Sequence, residues 1–408
     1  MRKIVFYLSI SLLTFLAITV LLHFFFRPEN LDKIFVMNDG WDVTYNGKLF
    51  KDVNLPTLRD SIGTTTQKGD VLILSKTVEG LDAMVSPTIH IDTRFSAWRL
   101  SVNGVQLLSR FYDSLEKNKF IGNDHYFVAI PQGNNVAIIN IELVVNEDGA
   151  YSSFDAPLLG SSQDLMLYII FTNMFVFFVS VFLTIFGMLF FAISAGFKTT
   201  VPEMQMQIYS SLLYILLANW LLAQFGLLDF FIDTKGHQTE IEYLTLYLAL
   251  PVMHLVMGSA HNYFHNKLFL SFATVGSSII FILIILHFTN LVHINRFLWL
   301  FQLDALVFAG LMIYLLLRDG KKNLLTMSQI IQIVGQTILA ISFLLNLIFY
   351  YLEVAGISAQ VMLSKKMILL HIWHMPTVLP ICQIAPDMKN ISARFRQMMR
   401  ITVLLVLI

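Results

Sequence analysis

The sequence predicts a membrane protein with an N-terminal anchor helix, an extracytoplasmic β-sandwich and a seven-helix transmembrane bundle. Three observations predict it. Seven long apolar runs follow one another from about Leu165 to Ile384, and an eighth stands alone at Val5–Phe26. The chain is 56% hydrophobic with a mean hydropathy of +0.68, and 13% of its residues are charged, where a soluble chain carries about 25% charged and 45–50% apolar residues. Between the lone run and the seven, Arg27–Asp164 is polar and alternates with a period of two.

A bilayer core of about 30 Å needs about 20 apolar residues in helix. The runs Val5–Phe26, Leu165–Ala195, Tyr209–Leu228, Tyr243–Phe264, Leu268–His287, Arg296–Leu317, Ile330–Tyr351 and Met367–Ile384 all reach that length. The first follows Arg2 and Lys3 and competes with a cleaved signal peptide. Its apolar stretch is longer than the usual core of about 7–15 residues, and Phe24-Phe25-Phe26-Arg27 offers no small-residue cleavage site. An uncleaved anchor over residues 1–26 is expected. The domains then run 27–164 for the outer domain, 165–385 for the bundle and 386–408 for the start of a cytoplasmic linker.

Orientation follows from Lys/Arg bias in short loops. With the N-terminus inside, the inner loops and tail carry Lys198, Lys267, Arg318, Lys321, Lys322, Lys389, Arg394, Arg396 and Arg400. The outer loops carry Lys235, Arg296, Lys365 and Lys366, and Asp229–Glu242 is acidic. The Lys365-Lys366 pair opposes the assignment, but lysines beside headgroups snorkel. The expectation is a multi-pass plasma-membrane protein with a cytoplasmic N-terminus and an extracytoplasmic 27–164 domain.

Within that domain Asn46-Gly47 separates Trp41–Tyr45 from Lys48–Phe50, and Asn103-Gly104 separates Ala97–Val102 from Val105–Ser109; both are hairpin signals. Val71–Lys76, Thr88–Phe95, His125–Ile130 and Val136–Val145 are further strand candidates. Several short strands with Gly/Asn/Pro turns indicate a β-sandwich. Lys+Arg and Asp+Glu balance at 27 each, so no nucleic-acid partner is expected. The single Cys382 cannot form an internal disulfide.

This layout resembles the bacterial seven-transmembrane receptors with diverse intracellular signalling modules, and most nearly the membrane-bound diguanylate cyclases of Gram-positive bacteria. The residues that carry the resemblance are Gly40-Trp41-Asp42-Val43, Tyr45-Asn46-Gly47, Val53-Asn54-Leu55-Pro56, Lys68-Gly69-Asp70-Val71, the Ser96–Leu107 segment and Asn146-Glu147-Asp148. Such segments are also similar to jelly-roll, galactose-binding-like domains that accompany glycosidases. The resemblance implies an outer jelly-roll sensor and a cytoplasmic cyclase. No Gly-Gly-Asp-Glu-Phe or Gly-Gly-Glu-Glu-Phe signature is present, and Val403–Ile408 is an apolar run with no stop feature. The chain as given is therefore expected to be a sensor interrupted at the start of its linker.

Two constellations are candidate sites. His90, Asp92 and Arg94 alternate onto one face of a strand, where an Asp and an Arg can hold a sugar or carboxylate through charge-assisted hydrogen bonds; a solvated face needs such residues too. Trp41 and Trp98 are able to stack a sugar ring, but Trp98 shares its face with Leu100 and Val102, which predicts core packing. In the bundle, His254, Asp304, His371 and His374 are expected to form a buried polar network, joined by Asn173, Asn219, Gln336 and Asn346. Two readings of it stand: a signal-transmitting network, or interhelical bonds of about 0.6 kcal/mol each.

A zinc reading of His254, His261 and His265 is set aside, because the last two fall at the predicted inner surface and no catalytic Glu accompanies them. No metal, cofactor or catalytic residue is expected. The expected function is a receptor whose outer domain binds a small-molecule or carbohydrate ligand and biases the bundle towards a cytoplasmic output domain or protein. Membrane lipid and a second copy of the chain are its other expected partners. The alternative is a transporter or membrane-embedded enzyme; Pro251, Pro376 and Pro380 are the mid-helix breakers, and no internal repeat supports it.

Overall fold

The computed structural model describes residues 34–322, apart from 132, 134, 152–153 and 202–203, together with isolated positions 17, 21, 341, 344 and 348. Apart from those isolated positions, the expected spans at Val5–Phe26, Ile330–Tyr351 and Met367–Ile384 fall outside the described residues, as do Gln336, Asn346, His371, His374 and Cys382. The chain divides into two compact units. One holds the chain to Phe264 together with Ser277–Asn295; the other holds His265–Gly276 and the chain from Arg296.

The β domain, labelled outer for its expected location, has ten strands among its described residues: β1 Phe35–Val36, β2 Trp41–Tyr45, β3 Lys48–Val53, β4 Val71–Glu79, β5 Pro87–Thr93, β6 Ser96–Val102, β7 Val105–Arg110, β8 Asp124–Ala129, β9 Val136–Val145 and β10 Leu158–Ser161. Two short helices interrupt them, α1 at Leu58–Ile62 and α2 at Tyr112–Glu116. All pairings are antiparallel, in a four-stranded sheet of order β1-β10-β5-β8 and a six-stranded sheet of order β3-β2-β4-β9-β6-β7. Both expected Asn-Gly turns are present. Asn46 and Gly47 have φ of 48° and 83°, Asn103 and Gly104 of 51° and 80°, the left-handed pair that a tight hairpin demands. Each Asn also binds the neighbouring strand: Asn46 Oδ1 accepts from Val71 N at 2.9 Å, and Asn103 Oδ1 from Ile138 N at 2.8 Å.

The two sheets share one core. Ile89, Ile91, Val128 and Leu159 come from the smaller sheet, and Trp41, Val43, Leu72, Leu74, Trp98, Leu100, Ile139, Ile141 and Leu143 from the larger. Along β9, Ala137, Ile139, Ile141, Leu143 and Val145 point inward at every second position, each large side chain contributing about 1.5–3 kcal/mol by leaving water. β1 and β10 were not among the expected strands. β1 has two residues and β10 four, too short for an alternating signal.

One polar corner braces the larger sheet. Asp70 accepts from Tyr45 Oη at 2.5 Å, Asn46 Nδ2 at 2.8 Å and Gln67 N at 2.7 Å. Burial pushes its carboxyl up, but those hydrogen bonds outweigh burial and hold it below its ordinary value. A depressed folded-state pKa stabilises above the unfolded value of about 3.9 and loses that effect as pH falls through the folded value. Asp70→Asn should therefore lower the melting temperature at pH 7, and its gap to the native chain should close as pH drops from about 5 towards 2. A gap independent of pH would show that the carboxylate's charge contributes nothing.

Six longer helices follow: α3 Ser162–Thr172, α4 Met174–Phe197, α5 Met204–Gln224, α6 Gln238–Ala260, α7 Lys267–Phe288 and α8 Leu298–Lys322. Among the described residues, five helical segments are long and apolar enough to cross a membrane: Met174–Phe197, Met204–Gln224, Gln238–Ala260, Lys267–Phe288 and Ile294–Gly320. The expected single run Leu165–Ala195 is instead two helices broken at Asn173. There Thr172 Oγ1 and Asn173 Nδ2 both donate to the Ile169 carbonyl, at 3.1 and 3.0 Å, and such local side-chain bonds compete with the helix ladder. α3 lies against β5 and β10 of the outer domain rather than continuing α4. α4, α5 and α6 pack in sequence. Gly187 makes the close approach possible: a β-carbon there would stand 2.8 Å from Ile215 Cγ1 and 3.1 Å from Ser211 O.

Candidate functional site

The site lies on the outer face of the four-stranded sheet. In the β5–β8 register Asp92 stands opposite His125 and His90 opposite Phe127. Because side chains alternate, these four share the face turned away from the core. That face is covered, and β5 is buried on both sides. α3 lies over β5, and the α5–α6 connection meets β8. Phe230 packs its ring 6.2 Å from that of Phe127, and Gly226, at φ +69°, comes so close that a β-carbon would stand 3.2 Å from the His125 ring.

Between these surfaces is a cavity of about 610 Å³. The outer domain contributes His90, Arg110, Phe111 and Asp124 to Phe127; α3 contributes Met166; the α5–α6 connection contributes Gly226, Asp229, Phe230, Asp233, Lys235 and Gly236. At its edge three groups converge. His125 Nδ1 is 2.6 Å from Asp92 Oδ1, and His90 Nε2 is 3.4 Å from the same oxygen. The two imidazoles lie nearly parallel, with ring centroids 6.5 Å apart. Burial disfavours the imidazolium at both rings. At His90 burial wins and the pKa falls. At His125 the adjoining Asp92, reinforced by Asp124, overcomes burial and the pKa rises. Asp92 is pushed up by burial but pulled further down by the two histidines, to well below the usual carboxylate range.

Of the expected ligand residues, the structure brings His90 and Asp92 together, while Arg94, still close enough to Asp92 to help hold its carboxyl down, has its own ion-pair partner. β5 ends at Thr93, and the Arg94 guanidinium pairs with Asp155 while its amide donates to Tyr151 Oη at 3.0 Å. Trp41 and Trp98 are both 0% exposed, which removes them as stacking platforms. Trp41 Nε1 donates to Met37 O at 2.7 Å and Trp98 Nε1 to Asp124 Oδ2 at 2.9 Å. His125, Arg110 and Asp124 were not among the expected site residues. His125 stood in an expected strand, but only the pairing register places it opposite Asp92.

The outer domain is joined to helix ends as well. Asn123 N donates to Thr239 Oγ1 at 2.6 Å near the start of α6, where a β-carbon on Gly122 would meet Thr239 Cβ at 2.7 Å. Beyond the end of α7, Asn290 Nδ2 donates to Asn118 O at 3.1 Å, and buried His293 pairs with buried Glu147. Phe120 packs edge-on against His287 and His293, each at 5.4 Å.

Of the expected intramembrane network, His254 and Asp304 face small partners, and Asn219 bonds within its own helix; His261 belonged to the zinc reading. His254 is buried with Nδ1 3.4 Å from Ser277 Oγ. Asp304 faces Gly276, where a β-carbon would stand 2.7 Å from its Oδ2. Asn219 Nδ2 donates to Ile215 O of its own helix at 2.8 Å. His261 stacks on Tyr263 at 5.3 Å.

No protein-family model matches the chain, and no curated protein does. Comparison with solved structures finds a GH31 alpha-xylosidase from Xanthomonas citri, 11% identical, with a TM-score of 0.17. The match covers 30% of this chain and 15% of that enzyme, and at that TM-score it carries no argument.

Proposed function

We propose that the chain is a transmembrane sensor whose outer β domain binds a small molecule in the cavity above β5 and β8. The observation that supports this reading is the composition of the cavity wall. The outer domain supplies one side and the α5–α6 connection supplies the other, so an occupant touches both at once. A ligand shifts a conformational equilibrium only by its differential affinity for the two states, and an occupant bridging two elements has that difference built in. A volume of about 610 Å³ suits a small molecule, and Arg110, Asp229, Asp233 and Lys235 offer polar anchors for a sugar or carboxylate. In this reading the seven-helix receptor architecture carries the bias to a cytoplasmic output, a diguanylate cyclase domain or a separate protein.

Hydrogen–deuterium exchange on the full chain in detergent tests the proposal. Monosaccharides and small carboxylates that raise the melting temperature are added, and exchange is followed peptide by peptide. A cavity ligand should slow exchange in β8 and in Gly226–Gly236 together. Phe230→Ala, which removes the ring against Phe127, should leave protection of β8 and diminish that of the loop. Protection confined to the membrane helices would instead favour transport and overturn the sensor reading.

A further inference from the structure

The cluster at the cavity edge has the donors of a metal site. His90, Asp92 and His125 each offer one ligand atom, and these atoms lie within 4.8 Å of one another. Two imidazole nitrogens and a carboxylate oxygen are ordinary zinc ligands, with bonds of about 2.0–2.2 Å, and tetrahedral geometry at that length separates ligand atoms by about 3.3–3.6 Å. The His90–Asp92 edge, at 3.4 Å, already has that length. The His125–Asp92 edge, at 2.6 Å, is a hydrogen bond that must open by about 0.7–1.0 Å to admit an ion.

The site is built on rigid structure. All three ligands stand on two paired strands whose inner face is core, and His90 is 7% exposed. The surrounding charge also favours a cation. Asp229 and Asp233 line the cavity with Asp92 nearby, against Lys235, while Arg110 is engaged with Asp124 at 2.8 Å and Arg94 with Asp155. Three protein ligands leave a fourth position, as in open zinc sites, and His90 and His125 line a cavity large enough for a donor molecule to occupy it.

We infer that His90, Asp92 and His125 bind a divalent transition-metal ion of the zinc type, which anchors an oxygen-donor ligand in the cavity. The inference rests on the sensor reading for its purpose, but not for the binding itself. The ion would hold the β5–β8 face, and the ligand completing its coordination would reach the α5–α6 connection. Specificity would then come from the cavity walls and affinity from the metal.

The full chain, purified in detergent without a histidine tag and stripped with chelator, is titrated with Zn²⁺ by calorimetry and with Co²⁺ by visible absorption. One ion per chain is expected, with the intense d–d bands of a four-coordinate Co²⁺ site. Asp92→Asn, which keeps the shape, and His125→Gln should each weaken Zn²⁺ binding more than about tenfold, since even outer-shell changes at metal sites cost 10–100-fold. His261→Gln should bind as the native chain does. Absence of a stoichiometric site in the folded native chain, or undiminished binding in Asp92→Asn, would overturn the inference without need of any further variant. The same samples separate this inference from the sensor reading. Zn²⁺ binding at this site with no protection of Gly226–Gly236 by any oxygen donor would leave the metal and sink the sensor. Loop protection by a ligand in the absence of any metal uptake would do the reverse.

Discussion

Trp98→Ala should lower the stability of the outer domain by about 3–5 kcal/mol, the usual cost of deleting a large aromatic from a packed core. The ring is 0% exposed, stands on β6 between β7 and β9, and lies edge-on to Tyr126 at 6.3 Å. Its loss also removes the indole N–H from Asp124 Oδ2, leaving a buried carboxyl, already pushed up by burial, to its ion pair with Arg110 at 2.8 Å. Trp98→Phe separates the two effects: it keeps most of the ring and forfeits the hydrogen bond, for about 1–3 kcal/mol. Urea unfolding of a fragment spanning Arg27–Ser161 measures both, since the core cluster runs from Met37 to Leu159 and is complete within it. A loss under about 1 kcal/mol for Trp98→Ala would contradict the core assignment. If ligand binding by the full chain were abolished at the same time, Trp98 would become a binding platform after all.

The β domain was legible where local chemistry is strong. Asn-Gly turns demand left-handed backbone at both residues, so the two hairpins could be placed from four residues, and the alternation of β9 needs no partner to be seen. The membrane helices were legible from length and apolarity, since lipid requires every backbone group to be satisfied within the segment. What could not be read was anything set by register or by covering. His90, Asp92 and Arg94 alternate in sequence, yet the strand ends at Thr93 and the Arg94 guanidinium pairs with Asp155. His125 joins the first two because β8 pairs with β5 at that register, a long-range fact. The face that alternation alone leaves open to water is covered by α3, which is separated from α4 at Asn173, where Thr172 and Asn173 side chains bond the Ile169 carbonyl. A hydropathy window averages over that break and reports one long run.

The largest all-or-none result expected concerns which side of the membrane the cavity faces. Alkaline phosphatase fused after Gly149 should be active, and fused after Gly320 it should be inactive. The argument has two independent parts. Loops carrying Lys198, Lys267 and Arg318 are expected inside from the positive-inside rule, while the acidic α5–α6 connection with Asp229 and Asp233 is expected outside. The structure adds connectivity that owes nothing to charge. α3 lies on the outer domain and α4 follows it, so 24 residues at 1.5 Å rise carry the chain about 36 Å to Lys198. α5 returns it to Gly226, which touches His125 of the outer domain. α6 departs from Thr239, which is bonded to Asn123, and α7 ends just before Asn290, which is bonded to Asn118. Among the described residues, the helix ends named here that meet the outer domain are thus ones that the charge bias places outside. Loop charge and domain contact must reverse together if either is wrong. Phosphatase activity at Gly320 with none at Gly149 would put the cavity in the cytoplasm and turn the proposed ligand from an envelope molecule into an intracellular one. Activity at both positions would mean that the helices between them do not alternate across the membrane, and the coupling proposed through the α5–α6 connection would lose its basis.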